Sequence, residues 1–312
     1  MEKSTQRAAD ELSRTYAAVR LSIQWMGITR CLTAQQKEEL GTRQSLDVRM
    51  ITASRKILDQ SHPVMKKISG IRTQIRRTWM DSTLPYVENG IRLLPRLDLR
   101  RFHEHMSHHK GTLQEANKEL QEDYNHLRDD ARRRLGGLYD PADYPESVNG
   151  LFDLDWFVME IQPPQYLMRL DPELYRTEQK RVQEKFREAV ELAEQAFLAE
   201  FAGLVEHLSE RLASGDDGER KVFRDSVVTN LLEFVDRFKH LNIGSSPDLD
   251  RLVEQTRQMI QGVPPQDLRD QSSLRQTIAT QLSTVTAELD GLMVNRPRRR
   301  IVRMESDHAP AN

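Results

Sequence analysis

The chain has 312 residues, of which 38% are hydrophobic and 30% are charged, and its formal net charge is −2. This length suffices for two ordinary domains or one elongated domain. So many charges favour amphipathic helices, because each helix buries only one stripe of its surface. A net charge near zero excludes recruitment of nucleic acid or anionic membranes by the field of the whole protein, so any such binding needs a local patch.

The sequence carries no sign of export or of a membrane span. Its amino end lacks the apolar stretch of a signal peptide, and no segment approaches the run of about 20 apolar residues that spans a bilayer. Cys31 is the only cysteine, which excludes an intrachain disulfide and any CxxC metal or redox site. We therefore expect a cytoplasmic protein in a reducing compartment, without a membrane contact and without a cofactor.

The first part of the chain combines helical and extended patterns. Residues 4–19 have a helix-favouring composition, and residues 21–25 alternate apolar and polar side chains as a half-buried strand does. His62-Pro63 opens a second helix that ends before Leu84-Pro85, and residues 90–95 are a short extended segment. The apolar positions of the second helix recur at spacings of three and four: Val64, Ile68, Ile71, Ile75 and Trp79.

The strongest helical periodicity begins after Asp98, which is a suitable N-cap. It predicts a long heptad seam that ends at Gly136-Gly137, a pair suited to a helix C-terminus. Residues 152–158 then alternate as a strand does, before Pro163-Pro164. The seam consists of Leu99, Phe102, Met106, His109, Leu113, Ala116, Leu120, Tyr124, Leu127 and Ala131.

A second seam opens at Asp171-Pro172, where an acidic N-cap precedes a proline at the first helical position. Three shorter helices are predicted after it, at 219–241, 247–261 and 266–293. The second seam consists of Val182, Phe186, Ala189, Ala193, Phe197, Phe201, Leu204, Leu208 and Leu212.

These elements predict a mainly α protein. We expect the two seams to pair as a long antiparallel coiled-coil-like helical hairpin, with a small mixed α/β module and a C-terminal helical bundle. The predicted divisions are an N-terminal helical module with minor strands and the first long helix at 1–165, a C-terminal helical region at 166–294, and a basic tail at 295–312. The tail holds little to bury, so we expect it to be disordered.

A histidine cluster at residues 103–109 is a candidate metal site. His105 and His109 lie four residues apart and share a helix face, as two imidazole ligands of a divalent cation would. Against this, the segment lacks HExxH, no third ligand is evident, and His109 falls on the apolar seam. We favour the interpretation that these are structural or surface histidines. A pH-responsive contact is an alternative, because histidine titrates near neutral pH.

A basic cluster just beyond the last predicted helix is a candidate contact for nucleic acid or for an acidic partner surface. It holds no aromatic residue, so stacking on single-stranded nucleic acid has no support. A solvated tail or a protein contact is favoured. The cluster consists of Arg296, Arg298, Arg299, Arg300 and Arg303.

No common catalytic signature accompanies these candidates. GxxxxGK[ST], GxGxxG and GxSxG are all absent from the sequence. Asp153 and Asp155 share one face of the predicted strand and could hold a cation, but alternation alone predicts polar residues there. We therefore assign no catalytic residue.

Several short stretches of packing and turn residues stand out in the N-terminal half. They are Leu21-Ser22-Ile23-Gln24-Trp25 with Leu32-Thr33, Ser54-Arg55-Lys56-Ile57-Leu58, Leu84-Pro85-Tyr86 with Gly90-Ile91-Arg92-Leu93-Leu94, and Asp143-Tyr144-Pro145 leading to Phe152. In these stretches the sequence resembles an uncharacterised family of bacterial and phage or mobile-element proteins. Members of that family are often encoded near MoxR-like or cobaltochelatase-like AAA ATPases. The resemblance implies a non-catalytic partner of such an assembly and supplies no catalytic residues.

Three functions follow as hypotheses. The first is a non-enzymatic helical scaffold or interaction protein that engages itself, as a homo-oligomer, or a protein partner such as an AAA ATPase. The second is a nucleic-acid-associated protein that uses the C-terminal arginine cluster. The third is a metal-dependent enzyme built on the histidine cluster.

Overall fold

The computed structural model describes residues 2–38, 52–212 and 225–294. This part of the chain is mainly helical with a small antiparallel sheet, as the sequence predicts. It forms two compact units: Gln6–Val190, the N-terminal unit, and the described residues from Glu191 onward with the first few residues, the C-terminal unit. The division lies inside the long helix that the sequence predicts after Asp171-Pro172.

The N-terminal unit combines helices and strands. Its helical elements are α1 (Glu2–Thr15), α2 (Pro63–Ser82), α3 (Leu99–Leu135), α4 (Leu167–Leu170) and the first part of α5 (Pro172–Leu212). Its strands are β1 (Tyr16–Trp25), β2 (Thr29–Cys31), β3 (Ser54–Lys56), β4 (Leu84–Pro85), β5 (Ile91–Pro95) and β6 (Phe152–Met159). The strands predicted at 21–25 and 152–158 and the extended segment at 90–95 are thereby confirmed.

Four strands form one antiparallel sheet in the order β4-β5-β1-β6, with β2 and β3 as a separate pair. In the register of β1 and β6, Leu21 lies opposite Trp156 and Ile23 opposite Leu154. Directly opposed residues share a face of the sheet. These four therefore project towards the same side, and all of them pack on the main core of the unit.

Residues 16–19 correct the sequence prediction, which placed them in a helix. They form the start of β1, where Tyr16, Ala17, Ala18 and Val19 are all buried. The segment pairs with β5 on one side, and from Ala18 onward with β6 on the other. Because both faces of this segment are buried, its side chains do not alternate between polar and apolar. The sequence therefore shows no strand pattern here, and its composition assigns the segment to the helix before it.

Helices α2 and α3 lie antiparallel along the core. Near the start of α2, Lys67 Nζ is 2.5 Å from Glu119 Oε1, and near its end Thr78 Oγ1 is 2.9 Å from His109 Nε2. Helix α3 ends at Leu135 as predicted, and Gly136 follows at φ +52°, a conformation that favours glycine.

The seam of α3 is buried, but its partner differs from the predicted one. Eight of its ten positions are buried, and they belong to one core with α2 and the sheet. Residues 172–190 of α5, in the same unit, contribute nothing to that core. Helix α2 therefore takes the place that the sequence gave to the second long helix. The α2 and strand residues of this core include Val64, Met65, Ile68, Ile71, Ile75, Val19, Leu94, Phe152 and Leu154.

The C-terminal unit holds the remainder of α5 with α6 (Asp225–Leu241), α7 (Pro247–Ile260), α8 (Pro265–Asp270) and α9 (Ser272–Val294). The predicted helix at 219–241 is confirmed from Asp225 onward, and its earlier residues lie outside the described ones. The predicted helix at 266–293 is two helices that meet at Gln271. Phe201 of α5 stacks on Phe234 of α6 with ring centroids 5.3 Å apart.

The packing of α3 predicts the effect of a truncation at its centre. Leu120 is fully buried, so Leu120→Ala removes apolar contacts and leaves a cavity. We expect the free energy of unfolding to fall by about 2–5 kcal/mol. Leu97 is 98% exposed and supplies the matched control, because Leu97→Ala should change stability by less than about 0.5 kcal/mol. Urea unfolding followed by circular dichroism measures both, and equal effects would contradict this packing.

Candidate interaction surface

The two candidate metal ligands lie on α3 in different surroundings. His105 is exposed, whereas His109 is half-buried and its Nε2 forms a hydrogen bond with Thr78 Oγ1 of α2. Burial lowers the pKa of His109, and the neighbouring His108 and His105 lower it further. Among the described residues, no group of three or more His, Cys, Asp or Glu side chains could hold a metal ion. His109 thus acts here as a polar contact between two packed helices.

Of the other sequence candidates, Asp155 forms a salt bridge, and the arginine cluster lies among residues that the structure does not describe. Asp155 Oδ1 accepts a hydrogen bond from Lys110 Nζ at 2.5 Å, and this bond raises the pKa of Lys110. The carboxylate therefore already has a cationic partner on α3. The arginine cluster, Arg296, Arg298, Arg299, Arg300 and Arg303, lies outside the described residues.

A buried ionic cluster joins segments that are far apart in sequence. Arg55 Nη2 donates to Asp143 Oδ2 at 2.8 Å, and its Nη1 donates to Gln36 Oε1 at 2.6 Å. Arg30 Nε donates to the other oxygen of Asp143 at 3.2 Å. The side chain of Arg55 is only 5% exposed, so its charge is compensated inside the fold.

The same cluster joins two of the short stretches that stand out in the N-terminal half of the sequence. Arg55 comes from one stretch and Asp143 from another, and Tyr144 Oη donates to the Ile57 carbonyl at 2.8 Å. These contacts fasten the β2–β3 pair to the turn that follows α3. The residues have a structural role in this arrangement, and we see no reacting group among them.

An exposed apolar segment lies between β6 and α5, and sequence reasoning did not single it out. We call its four exposed side chains the apolar ledge: Tyr166, Met168, Leu170 and Leu174. Their relative exposures run from 42% to 76%. The only sequence signal was an apolar run between two proline-containing turns, without the helical periodicity that marks a buried face.

Local hydrogen bonds fix the backbone of the ledge. Asp171 N donates to the Leu167 carbonyl at 2.9 Å, which closes the turn of α4. Asp171 Oδ1 accepts from the backbone N–H groups of Glu173 at 3.1 Å and Leu174 at 2.9 Å. Asp171 is therefore the N-cap of α5, as predicted, and it satisfies two amides that would otherwise lack partners. The ledge presents apolar side chains from a backbone that is already ordered.

Comparison with known proteins adds no relative to these observations. No family model, no curated protein and no solved structure matches the chain. Within the described residues, none of the helices is both long and apolar enough to cross a membrane.

The ionic cluster predicts a large effect of removing one partner. Asp143→Asn removes the nearer carboxylate from the buried guanidinium of Arg55 and leaves only Asp140 Oδ2, at 4.0 Å, so we expect a loss of about 3 kcal/mol in the free energy of unfolding. Adding Arg55→Met to that variant should restore part of the loss, because the uncompensated buried charge is then gone. Asp129→Asn, at an exposed position of α3, is the control. Urea unfolding that shows no recovery in the double variant would contradict the ionic origin.

The burial of His109 predicts a pH dependence of stability. Because folding lowers its pKa, the unfolded chain binds a proton more readily than the folded chain below about pH 6.5. The contribution of neutral His109 is therefore complete above that pH and is lost as the pH falls towards the lowered folded-state pKa. His109→Gln should flatten the decrease in unfolding midpoint between about pH 8 and pH 5, whereas His105→Gln, which removes only the smallest of the causes that lower the pKa of His109, should flatten it less. Equal pH profiles of the two variants would contradict this assignment.

Proposed function

We propose that this protein is a non-enzymatic helical scaffold or interaction protein whose apolar ledge binds a protein partner. The observation that carries this function is the exposure of four large apolar side chains within nine residues on a fixed backbone. Single exposed apolar residues are normal on protein surfaces, but a contiguous group usually marks an interaction site.

The energetics of the ledge suit a protein interface. Covering the exposed halves of four such side chains removes apolar area from water that is worth roughly 3–6 kcal/mol. Arg169, Glu173 and Arg176 are exposed around it and supply a polar rim. The apolar ledge and its rim hydrogen bonds do not by themselves offset the translational and rotational entropy that is lost on binding. The partner must therefore also contact the surface beside the ledge.

The partner that we propose is an AAA ATPase of the MoxR-like or cobaltochelatase-like kind, as the resemblance to a bacterial and mobile-element family implies. A cytoplasmic location fits such a partner, and the lone Cys31 is compatible with it. In this proposal the helices of the C-terminal unit form the bundle. No observation on the described residues favours the nucleic-acid or the metal-enzyme alternative.

Binding of the purified chain to a purified AAA ATPase encoded beside its gene tests this function. Met168→Asp combined with Leu170→Asp places two charges on the ledge and should weaken binding at least about 100-fold, since about 2.8 kcal/mol is lost. Leu97→Asp places a charge on a leucine that is even more exposed and lies outside the ledge, and it should leave the affinity unchanged. Isothermal titration calorimetry measures both.

Two results would contradict the proposed function. Unchanged affinity of the ledge variant would remove the ledge as the binding surface. Absence of any binding by the unaltered chain would remove the ATPase as the partner.

A further inference from the structure

Strand β6 forms one edge of the four-stranded sheet, and the hydrogen bonds that α3 makes to it lie in its first half. Asn117 Nδ2 donates to the Phe152 carbonyl at 2.8 Å, and Lys110 bonds to Asp155. From Trp156 to Glu160, apart from the ladder with β1, no backbone hydrogen bond joins the strand to any described residue. The second half of the strand therefore offers an open row of backbone donors and acceptors.

Four of the five residues in this open half lack the features that usually protect a sheet edge. Natural edge strands carry charges, prolines or bulges that prevent pairing with another chain. Residues 156–159 are Trp, Phe, Val and Met, and Phe157 and Val158 are 55% and 52% exposed on opposite faces of the sheet. An apolar edge of this kind is suited to pairing with a further strand.

We propose that two copies of this chain associate through antiparallel pairing of their β6 strands, centred on Val158. In this register Val158 lies opposite its own counterpart, and Phe157 lies opposite Met159 of the second copy. The three central pairs are then apolar, and they lie on both faces of an eight-stranded sheet. The contact of Phe157 with Met159 occurs twice, and a two-fold axis relates its two occurrences, as in an isologous interface.

The sequence around the strand selects this register over its neighbours. A two-fold axis perpendicular to the sheet keeps every side chain on its own face. Directly opposed residues share a face, and faces alternate along a strand, so one residue must lie opposite its own counterpart. Centring on Phe157 would require pairing at residues 154 and 155, where Lys110 of α3 already bonds to Asp155. Centring on Met159 would bring residues 160–162, which lie beyond the end of β6, into the pairing. Only the register centred on Val158 uses the open half alone and matches its apolar residues.

Polar complementarity supports a second copy as the occupant. The same register places Glu160 of the second copy opposite Trp156, on the face where α3 packs. The ring of His103 lies 5.2 Å from the ring of Trp156. A carboxylate that arrives there can accept a hydrogen bond from an imidazole N–H, which a strand without an acidic residue at that position would not do.

Cysteine cross-linking of the full chain tests the register. In a Cys31→Ser background, Val158→Cys places two thiols at directly opposed positions, whose Cα atoms are about 4.5–5.5 Å apart and so within disulfide reach. Phe157→Cys, at an equally exposed neighbour, is the matched control, because its counterpart lies two residues along the strand. Under mild oxidation we expect a covalent dimer from Val158→Cys and at least about tenfold slower cross-linking from Phe157→Cys. Equal rates, or no dimer, would overturn the proposed pairing.

Sedimentation equilibrium of the unaltered chain gives a second and independent outcome. We expect a dimer that dissociates on dilution, and Val158→Lys should abolish it, because a charge at the centre of the pair must lose its water. Leu97→Lys should leave it intact. A chain that stays monomeric would overturn the proposal and assign the edge to a different partner. The ledge variant, Met168→Asp with Leu170→Asp, should dimerise normally, so failure of the ledge function is distinguishable from failure of this one.

Discussion

The N-terminal unit depends on the burial of one apolar stripe of α3 between α2 and the sheet. Phe102, Met106, Leu113, Leu120 and Tyr124 all enter the same core, and each is almost completely removed from water. Burying a large apolar side chain is worth about 1.5–3 kcal/mol, so this stripe is a main source of stability for the unit. This packing also sets where the histidines of α3 lie relative to α2 and where α3 lies relative to strand β6 at the sheet edge.

The connection between α2 and α3 keeps the two helices in register. Strands β4 and β5 form the reversal between them, and Arg92 of β5 reaches back to the end of α2. Its Nε donates to Thr83 Oγ1 and its Nη2 to the Thr83 carbonyl, each at 2.7 Å, while its guanidinium lies over the Trp79 ring. Because the hydrogen bonds from α3 to β6 lie in the first half of that strand, the backbone of its second half is left open.

Much of this fold was predictable, and the limits of prediction have a physical reason. The helical spacing of three and four identified the buried face of α3, since that pattern depends only on which side of the helix faces the core. It cannot identify what covers that face. Helix α2 carries the same spacing at Val64, Ile68 and Ile71, so pairing the two longest seams was one of two arrangements that the pattern allowed. The burial of both faces of residues 16–19 likewise depends on tertiary packing, which the local sequence pattern does not show.

The candidate sites were harder to predict than the fold. Arg55 and Asp143 are 88 residues apart, and no spacing rule links them. The ledge consists of apolar residues that stay exposed, whereas pattern reasoning takes such residues as buried. The histidines were visible in sequence, but only the structure shows that His109 bonds to Thr78.

Hydrogen–deuterium exchange of the intact chain, followed by mass spectrometry, tests the central packing most directly. If α2 covers the seam of α3, backbone amides in Val64–Ile75 and in Phe102–Ala131 should be the slowest to exchange in the N-terminal unit, and both should open together when urea is added. Rapid exchange across α2 while α3 stays protected would contradict this account, because another element would then cover the seam.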